Sequence, residues 1–374
     1  MTSPLFTPIQ LAGLTLRNRI GVSPMCMYSA VDGVAQPFHL AHIGTMALSG
    51  AGLVIMEATG VEAVGRISEQ CLGLWNDAQE AALAQLVSQV RTFSDTPLGI
   101  QLGHAGRKAS CHPGWVKRGN QKPIPDGGWQ GVAPSARAWG EGWTVPQALD
   151  RSGMNRVRDA FVAATRRADR AGFDLIEIHG AHGYLLNTFI SPLGNARDDE
   201  YGGSLENRMR FPLEVVSAMR EALPSHKPLG IRINGDDWHD DGSPLEETVV
   251  YARALKAAGV DYITASAGNG APGVKFPPLE PGYMVPLAER LKAESGITTA
   301  AVGLIATPEY ANSVIAKGRA DMVMLARGVL DDPRWGQHAA IALGDEATYP
   351  PQYAWAAPKG WKAYGWVHPP RRSD

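Results

Sequence analysis

Short apolar, β-branched runs recur along the chain, and segments with helical spacing lie between them. The runs are Arg19-Ile20-Gly21-Val22, Gly52-Leu53-Val54-Ile55-Met56, Leu98-Gly99-Ile100-Gln101-Leu102 and Leu175-Ile176-Glu177-Ile178. Four more follow: Leu229-Gly230-Ile231-Arg232-Ile233, Tyr262-Ile263-Thr264-Ala265-Ser266, Thr299-Ala300-Ala301-Val302 and Met322-Val323-Met324-Leu325. Near-continuous apolarity, rather than strict alternation, is the mark of strands buried on both faces of a parallel sheet. Val157 to Ala171 carries Val157, Phe161, Ala164 and Ala168 on one helical face, and Ala81 to Phe93 and Leu245 to Ala258 have the same spacing. Ala171-Gly172 and Ala258-Gly259 sit where a glycine ends a helix. Eight strand-plus-helix units in succession predict an α/β fold, a single (β/α)8 TIM barrel spanning residues 1–351. A doubly wound open sheet is the other architecture, which the even spacing of eight units disfavours.

The third unit breaks the rhythm. Residues 108–153 are rich in Gly, Pro and Trp, with Trp115, Trp129, Trp139 and Trp143, and show little helical pattern. A loop of that length is usually functional, and it is expected as a lid-like excursion over the barrel mouth. The tail, residues 352–374, carries Trp355, Trp361 and Trp366. It is either a disordered end or an arm that packs on a neighbouring subunit.

Composition narrows the partners. The 374 residues are 44% hydrophobic and 19% charged, as in a globular protein with a large core. The net charge is -2, from 35 basic and 37 acidic residues, which gives no electrostatic reason to expect nucleic acid or an anionic membrane. No apolar run approaches the roughly 20 residues of a membrane span, and the first residues have no signal-peptide pattern. Cys26, Cys71 and Cys111 are sparse, odd in number and far apart in sequence, against a disulfide framework or a zinc or iron–sulfur site. A cytoplasmic protein is expected.

Barrels of this kind carry their chemistry at the C-terminal ends of the strands. Those ends read Pro24-Met25-Cys26, Ala58, Gln101, His104, His179, His182, Arg232, Ser266, Gly303 and Arg327. Two arginines with one carboxylate, Glu57, suit an anionic, planar, hydrogen-bonding ligand better than a divalent metal, and no metal is expected. The Gly303 turn and Ala326-Arg327-Gly328 lie where barrels bind phosphate. Arg327 is suited to a bidentate phosphate contact, with a surface salt bridge as its other reading. His179-Gly180-Ala181-His182-Gly183-Tyr184 delivers two imidazoles and a phenol at one strand end. Two histidines can donate to one oxygen while the tyrosine gives a proton nearby; paired structural histidines are the alternative.

Three further signals are set aside. Gly268 to Gly273 matches GxGxxG, but Pro272, Pro277 and Pro278 prevent the helix a dinucleotide turn requires. His39 and His42 form a second HxxH with no acidic neighbour in sequence and are expected to be structural. Asp236 to Asp241 is expected to be a solvated acidic loop rather than a cation site.

Taken together, several motifs resemble the old yellow enzyme family. They are Ser23-Pro24-Met25-Cys26-Met27-Tyr28, Glu57-Ala58, Gln101-Leu102-Gly103-His104-Ala105-Gly106-Arg107-Lys108, His179 to Tyr184, Asp199 to Arg208, Ala301 to Ile305 and Leu325-Ala326-Arg327. They fall in the family's order between Leu5 and Pro351, and Cys26 with Tyr28 points to its bacterial thermophilic-like branch, which includes xenobiotic reductases. The resemblance implies non-covalent FMN, reduced by NADPH or NADH, that then reduces an activated alkene such as an enone, maleimide, nitroalkene or quinone. It implies that Ser23, Pro24, Met25, Cys26, Ala58, Gln101 and Arg232 surround the isoalloxazine and that Gly303, Ala326 and Arg327 hold the phosphate. It further implies that His179 and His182 bind the substrate oxygen, Tyr184 donates the proton, and Tyr28 supplies a second hydroxyl. A homodimer or homotetramer is expected, with Trp355 standing where part of that branch has an arginine reaching into the neighbouring site. The alternative from another class is a metal-dependent barrel hydrolase or lyase built on His104, His179 and His182. A flavin-binding protein without catalysis is a third reading.

Overall fold

A computed structural model describes residues 2–116, 123–124 and 128–367. All eight apolar runs are strands: β1 (Ile20–Val22), β2 (Leu53–Gly60), β3 (Leu98–Gly103), β4 (Leu175–Gly180), β5 (Leu229–Asp236), β6 (Tyr262–Ala267), β7 (Thr298–Ala301) and β8 (Met322–Leu325). They close into one barrel in sequence order, β8 pairing with β1, and every ladder is parallel. The fold is the (β/α)8 TIM barrel.

The outer ring is α1 (Pro37–Ala47), α2 (Asp77–Arg91), α3 (Arg151–Arg170), α4 (Leu205–Ala222), α5 (Leu245–Ala257), α6 (Val285–Ser295), α7 (Pro308–Ala316) and α8 (Trp335–Ala342). Helix α3 begins earlier than its apolar spacing suggests because the Asp150 side chain accepts from the Gly153 N–H and satisfies a first-turn donor. Its Val157, Phe161, Ala164 and Ala168 are all buried against the barrel. Asn76 and Ser204 start α2 and α4 in the same way.

Two ladders carry irregularities beside the barrel mouth. In β2 the register slips between Met56 and Ala58, leaving Glu57 as the extra residue. Such bulges re-aim a side chain. Glu57 accepts from the Met27 N–H at 3.1 Å and lies 3.4 Å from His39 Nε2, so it holds the segment after β1. The His39–His42 motif therefore does have an acidic partner: α1 carries His39 to a carboxylate 18 residues further along the chain, a proximity made only by folding. The acidic loop after β5 also differs from expectation. Asp237 is buried and accepts from Asn234 Nδ2 at 2.9 Å and the Ser243 N–H at 3.0 Å, tying the loop to itself.

Among its described residues the excursion after β3 pairs Val132–Ala133 with Gln147–Ala148 and makes a single bridge between Cys111 and Pro123. Trp129 Nε1 donates to Val64 O at 2.9 Å and Trp139 Nε1 to Asn269 O at 3.1 Å, linking it to the loops after β2 and β6. Parts of it, 117–122 and 125–127, lie outside the described residues, as do 368–374 of the tail. The remaining tail makes a 3-10 turn (Pro351–Ala356) and a short helix (Tyr364–Val367). No helix among the described residues is long and apolar enough to cross a membrane.

The Asp199 to Arg208 motif is a clamp. Buried Arg208 at the start of α4 donates to Glu247 of α5 at 2.8 and 2.9 Å, to Ser243 Oγ at 3.1 Å and to the carbonyls of Gly203 and Ile190. Arg208 is buried while Glu247 is partly exposed and can be solvated once its partner is gone. Arg208→Ala is expected to lower unfolding free energy by about 1.5–3 kcal/mol, the scale of hydrogen bonds to a charged group, read from urea denaturation, with the far-ultraviolet spectrum of the folded state retained.

Candidate active site

Strand β4 ends in a tight turn that sets the site. His182 and Gly183 both have left-handed backbone, φ 59° and 73°. A Cβ at Gly183 would lie 2.6 Å from Asn269 O, so only glycine allows the approach of the β6 loop there. His182 N–H donates to Asn234 Oδ1 at 3.0 Å and Gly183 N–H to Asn187 Oδ1 at 2.7 Å. Left-handed non-glycine residues held by such bonds concentrate at functional sites. Tyr28, φ 46°, is another.

The turn brings His179, His182 and Tyr184 together. The two imidazole centroids are 5.2 Å apart with planes at 81°, and His179 meets the Tyr184 ring edge-on at 4.7 Å. Burial holds both imidazoles well below the ordinary histidine range, with Arg232 adding to the effect, so both are neutral at physiological pH. Their tautomers are assigned from their bonds. His179 Nδ1 accepts from the Ala181 N–H at 3.3 Å, leaving the proton on Nε2. Arg232 Nη2 donates to Ser266 Oγ at 3.2 Å, and the hydroxyl, 2.7 Å from His182 Nε2, donates onward, leaving that proton on Nδ1. Each ring keeps one N–H to offer.

A cavity of ≈ 640 Å³ opens beside them, lined by Ser23, Pro24, His182, Arg232, Gly303, Ala326 and Arg327 among others. Arg232 Nε is buried there without a hydrogen-bond partner. Cys26, Tyr28, Ala58 and Tyr184 form an adjoining cluster. Met25 packs against the main core, and Gln101 lies buried, its amide donating to Glu177 Oε1 at 2.7 Å. Trp355 is not brought to this site within one chain; it is 83% exposed. Among the described residues no group of His, Cys, Asp and Glu is disposed to hold a metal ion. His104 instead lies 3.3 Å from Glu62.

Several site features carried little sequence signal. The three cysteines, remote in sequence, converge: the Ala30 N–H donates to Gln70 O at 3.0 Å and the Cys111 N–H to Ile67 O at 2.8 Å. The hydrogen bond to Cys71 and burial push the Cys26 thiol well up, and burial pushes Cys111 up to about 12, so both stay protonated. Lys108 is buried with its Nζ 2.8 Å from His182 O, 3.2 Å from Asn269 O and 4.9 Å from the Tyr184 ring centroid. Burial pulls its pKa down to about 7. Glu177 did have a signal, a carboxylate inside an apolar strand.

Residues 4–346 match the NADH:flavin oxidoreductase / NADH oxidase family. An NADPH dehydrogenase of Geobacillus thermodenitrificans (strain NG80-2) is 43% identical over 364 residues, 97% of this chain and 100% of that protein. Morphinone reductase shares 29% identity with a TM-score of 0.75, over 94% of this chain and 93% of that one. A 2-naphthoyl-CoA reductase in complex with 2-naphthoyl-CoA has a TM-score of 0.81 over 91% of this chain. This chain spans 52% of that longer one at 23% identity, so the likeness is one of fold. Fold and sequence likeness define a flavin-dependent NAD(P)H oxidoreductase. The chain belongs to the NADH:flavin oxidoreductase / NADH oxidase family, the old yellow enzyme type its motifs resemble, with FMN as its flavin.

Lys108 makes stability depend on pH. Its folded pKa of about 7 lies below the ordinary 10.5. Above pH 7 the unfolded chain holds a proton that the folded chain lacks, so this residue makes stability rise with pH. The raised thiols act oppositely above their ordinary 9.0. Urea midpoints of the wild type are expected to rise more steeply between pH 7 and 9 than those of Lys108→Met.

Proposed function

We propose that the protein is an ene-reductase, an NAD(P)H-dependent enzyme that saturates alkenes activated by a carbonyl or nitro group. The observation that carries this reading is the pair of neutral imidazoles, each with one N–H to offer, beside the Tyr184 phenol and the arginine-lined cavity. When bound, FMN supplies the hydride, taken from NAD(P)H and delivered to the β-carbon of the alkene.

The residues present fit that cofactor. Arg327, with the backbone of Gly303 and Ala326, would hold the phosphate. Arg232, whose Nε is buried without a partner, would bind the pyrimidine edge and balance negative charge there. Ser23, Pro24, Met25, Cys26, Ala58 and Gln101 would border the ring. The protonated Cys26 thiol would offer polarizability beside the ring without adding charge.

His179 and His182 bind the substrate oxygen and stabilise the negative charge that grows on it during hydride addition. Burial and the nearby Arg232 lower their pKa values and favour the neutral, donating form. Tyr184 then gives its proton to the α-carbon, and Lys108, close to the ring, balances charge left on the phenolate. Tyr28, in edge contact with Trp115 at 5.2 Å, offers a second hydroxyl at the mouth. The described part of the excursion, tied down through Trp129 and Trp139, acts as a cover over the barrel mouth, and the enzyme is cytoplasmic.

Trp355, largely exposed in one chain, enters the site of a second copy in a homodimer or homotetramer. Burying an exposed indole against a partner is favourable.

Anaerobic NADPH should bleach the flavin band of purified protein and 2-cyclohexenone should restore it. A protein that takes up no FMN on reconstitution would overturn the reading. Tyr184→Phe is expected to slow reoxidation by the enone by about 10²–10⁴-fold while reduction by NADPH changes by no more than a few-fold. His179→Ala should weaken enone binding. Trp355→Ala is expected to raise the enone KM or to weaken the oligomer in sedimentation, and an unchanged value of both would remove Trp355 from the site.

A further inference from the structure

Glu177 is a carboxylate of the barrel interior that the chemistry above does not use. Glu177 lies on β4, wholly buried, two residues before His179. Its Oε1 accepts from Gln101 Nε2 at 2.7 Å, and its Oε2 accepts from Thr264 Oγ1 at 2.7 Å and Tyr262 OH at 3.1 Å. Tyr262 and Thr264 stand on β6, which does not pair with β4, so the contacts cross the interior. The ladder places Gln101 directly beside Glu177, and a side chain at Gly230 would collide with the Tyr262 ring. Burial pushes the Glu177 carboxyl up from the ordinary range, while Thr264, Arg232, Gln101 and Tyr262 pull the other way.

We propose that Glu177 is a positioning residue that fixes the Gln101 carboxamide with its NH2 turned inward and its carbonyl oxygen offered to the flavin. This rests on the reading that Gln101 borders the isoalloxazine. A carboxamide has one donor end and one acceptor end. A carboxylate accepting at Oε1 commits the donor end, because turning the amide over would set two oxygens against each other. The pyrimidine edge of a flavin carries a single N–H between two carbonyls, and an acceptor is what that N–H needs. Glu177 thereby selects for a ligand that donates at this position without touching it.

The test is FMN affinity, measured by fluorescence quenching on the deflavinated full-length protein, with the melting temperature of the apoprotein beside it. In Glu177→Gln the new amide accepts from Thr264 and Tyr262 and donates toward Gln101, which turns over and presents NH2 to the flavin. Kd for FMN is expected to rise about tenfold or more. The reciprocal double variant Gln101→Glu with Glu177→Gln satisfies every bond again with an acceptor facing the pocket. It is expected to bind FMN within about threefold of wild type. Gln101→Ala alone should weaken FMN, and Glu177→Gln added to it should change affinity little further. A purely structural Glu177 would instead lower the melting temperature in every background without rescue by the reciprocal pair. Normal FMN affinity in Glu177→Gln, with Gln101→Ala weakened, overturns the proposal alone. Normal affinity in Gln101→Ala overturns it together with the placement of Gln101 at the flavin. If Glu177→Gln does not fold, failure of the folded double variant to bind FMN overturns it.

Discussion

The register between neighbouring parallel strands is the constraint on which the site depends. Because β3, β4, β5 and β6 pair residue by residue, Gln101 stands beside Glu177, and Arg232 stands between His179 and Thr264. A slip of one residue in any ladder would turn these side chains to the helical side and bring apolar ones inward. The same closure that buries the core therefore also sets the order of polar groups at its mouth. Glu177 and Gln101 are satisfied inside this barrel by each other and by Tyr262 and Thr264 of a facing strand.

That order has a consistent electrostatic sense. The cavity side carries Arg232, Arg327 and hydrogen-bond donors, whereas the carboxylates nearby are turned away from it. Glu57 is committed to Met27 and His39, Glu177 to Gln101, Thr264 and Tyr262, and Asp237 to its own loop. An anionic ligand meets little repulsion, while the barrel still carries the negative charge that buried arginines need. Neutral histidines fit this setting, since a further positive charge beside Arg232 and Lys108 would be costly to bury. Family membership gives the flavin and the reductant.

Much of this was legible in the chain. Strands buried on both faces must be apolar along their length, so all eight could be read directly, and two helix C-termini followed from the Ala-Gly pairs, whereas the starts at Asp150, Asn76 and Ser204 emerged from the cap hydrogen bonds. The paired histidines and Tyr184 stood out because three polar rings in six residues are hard to explain as core. Glu177 went unremarked within its apolar run, because its partners Gln101, Tyr262 and Thr264 lie on other strands. The pairing of His39 with Glu57, the burial of Asp237 and the meeting of Cys26 with Cys71 were not visible. Each joins segments whose closeness depends on how loops pack after the barrel has closed.

The sequence by itself determined the barrel, the order of its units and the residues at each strand end, because those follow from local periodicity and from chain direction. Only the tertiary structure decided which nitrogen of each histidine keeps its proton, which way the Gln101 amide faces and which carboxylates are withheld from the cavity. Those are properties of contacts between strands and loops far apart in sequence, set by register and burial, and no local pattern encodes them.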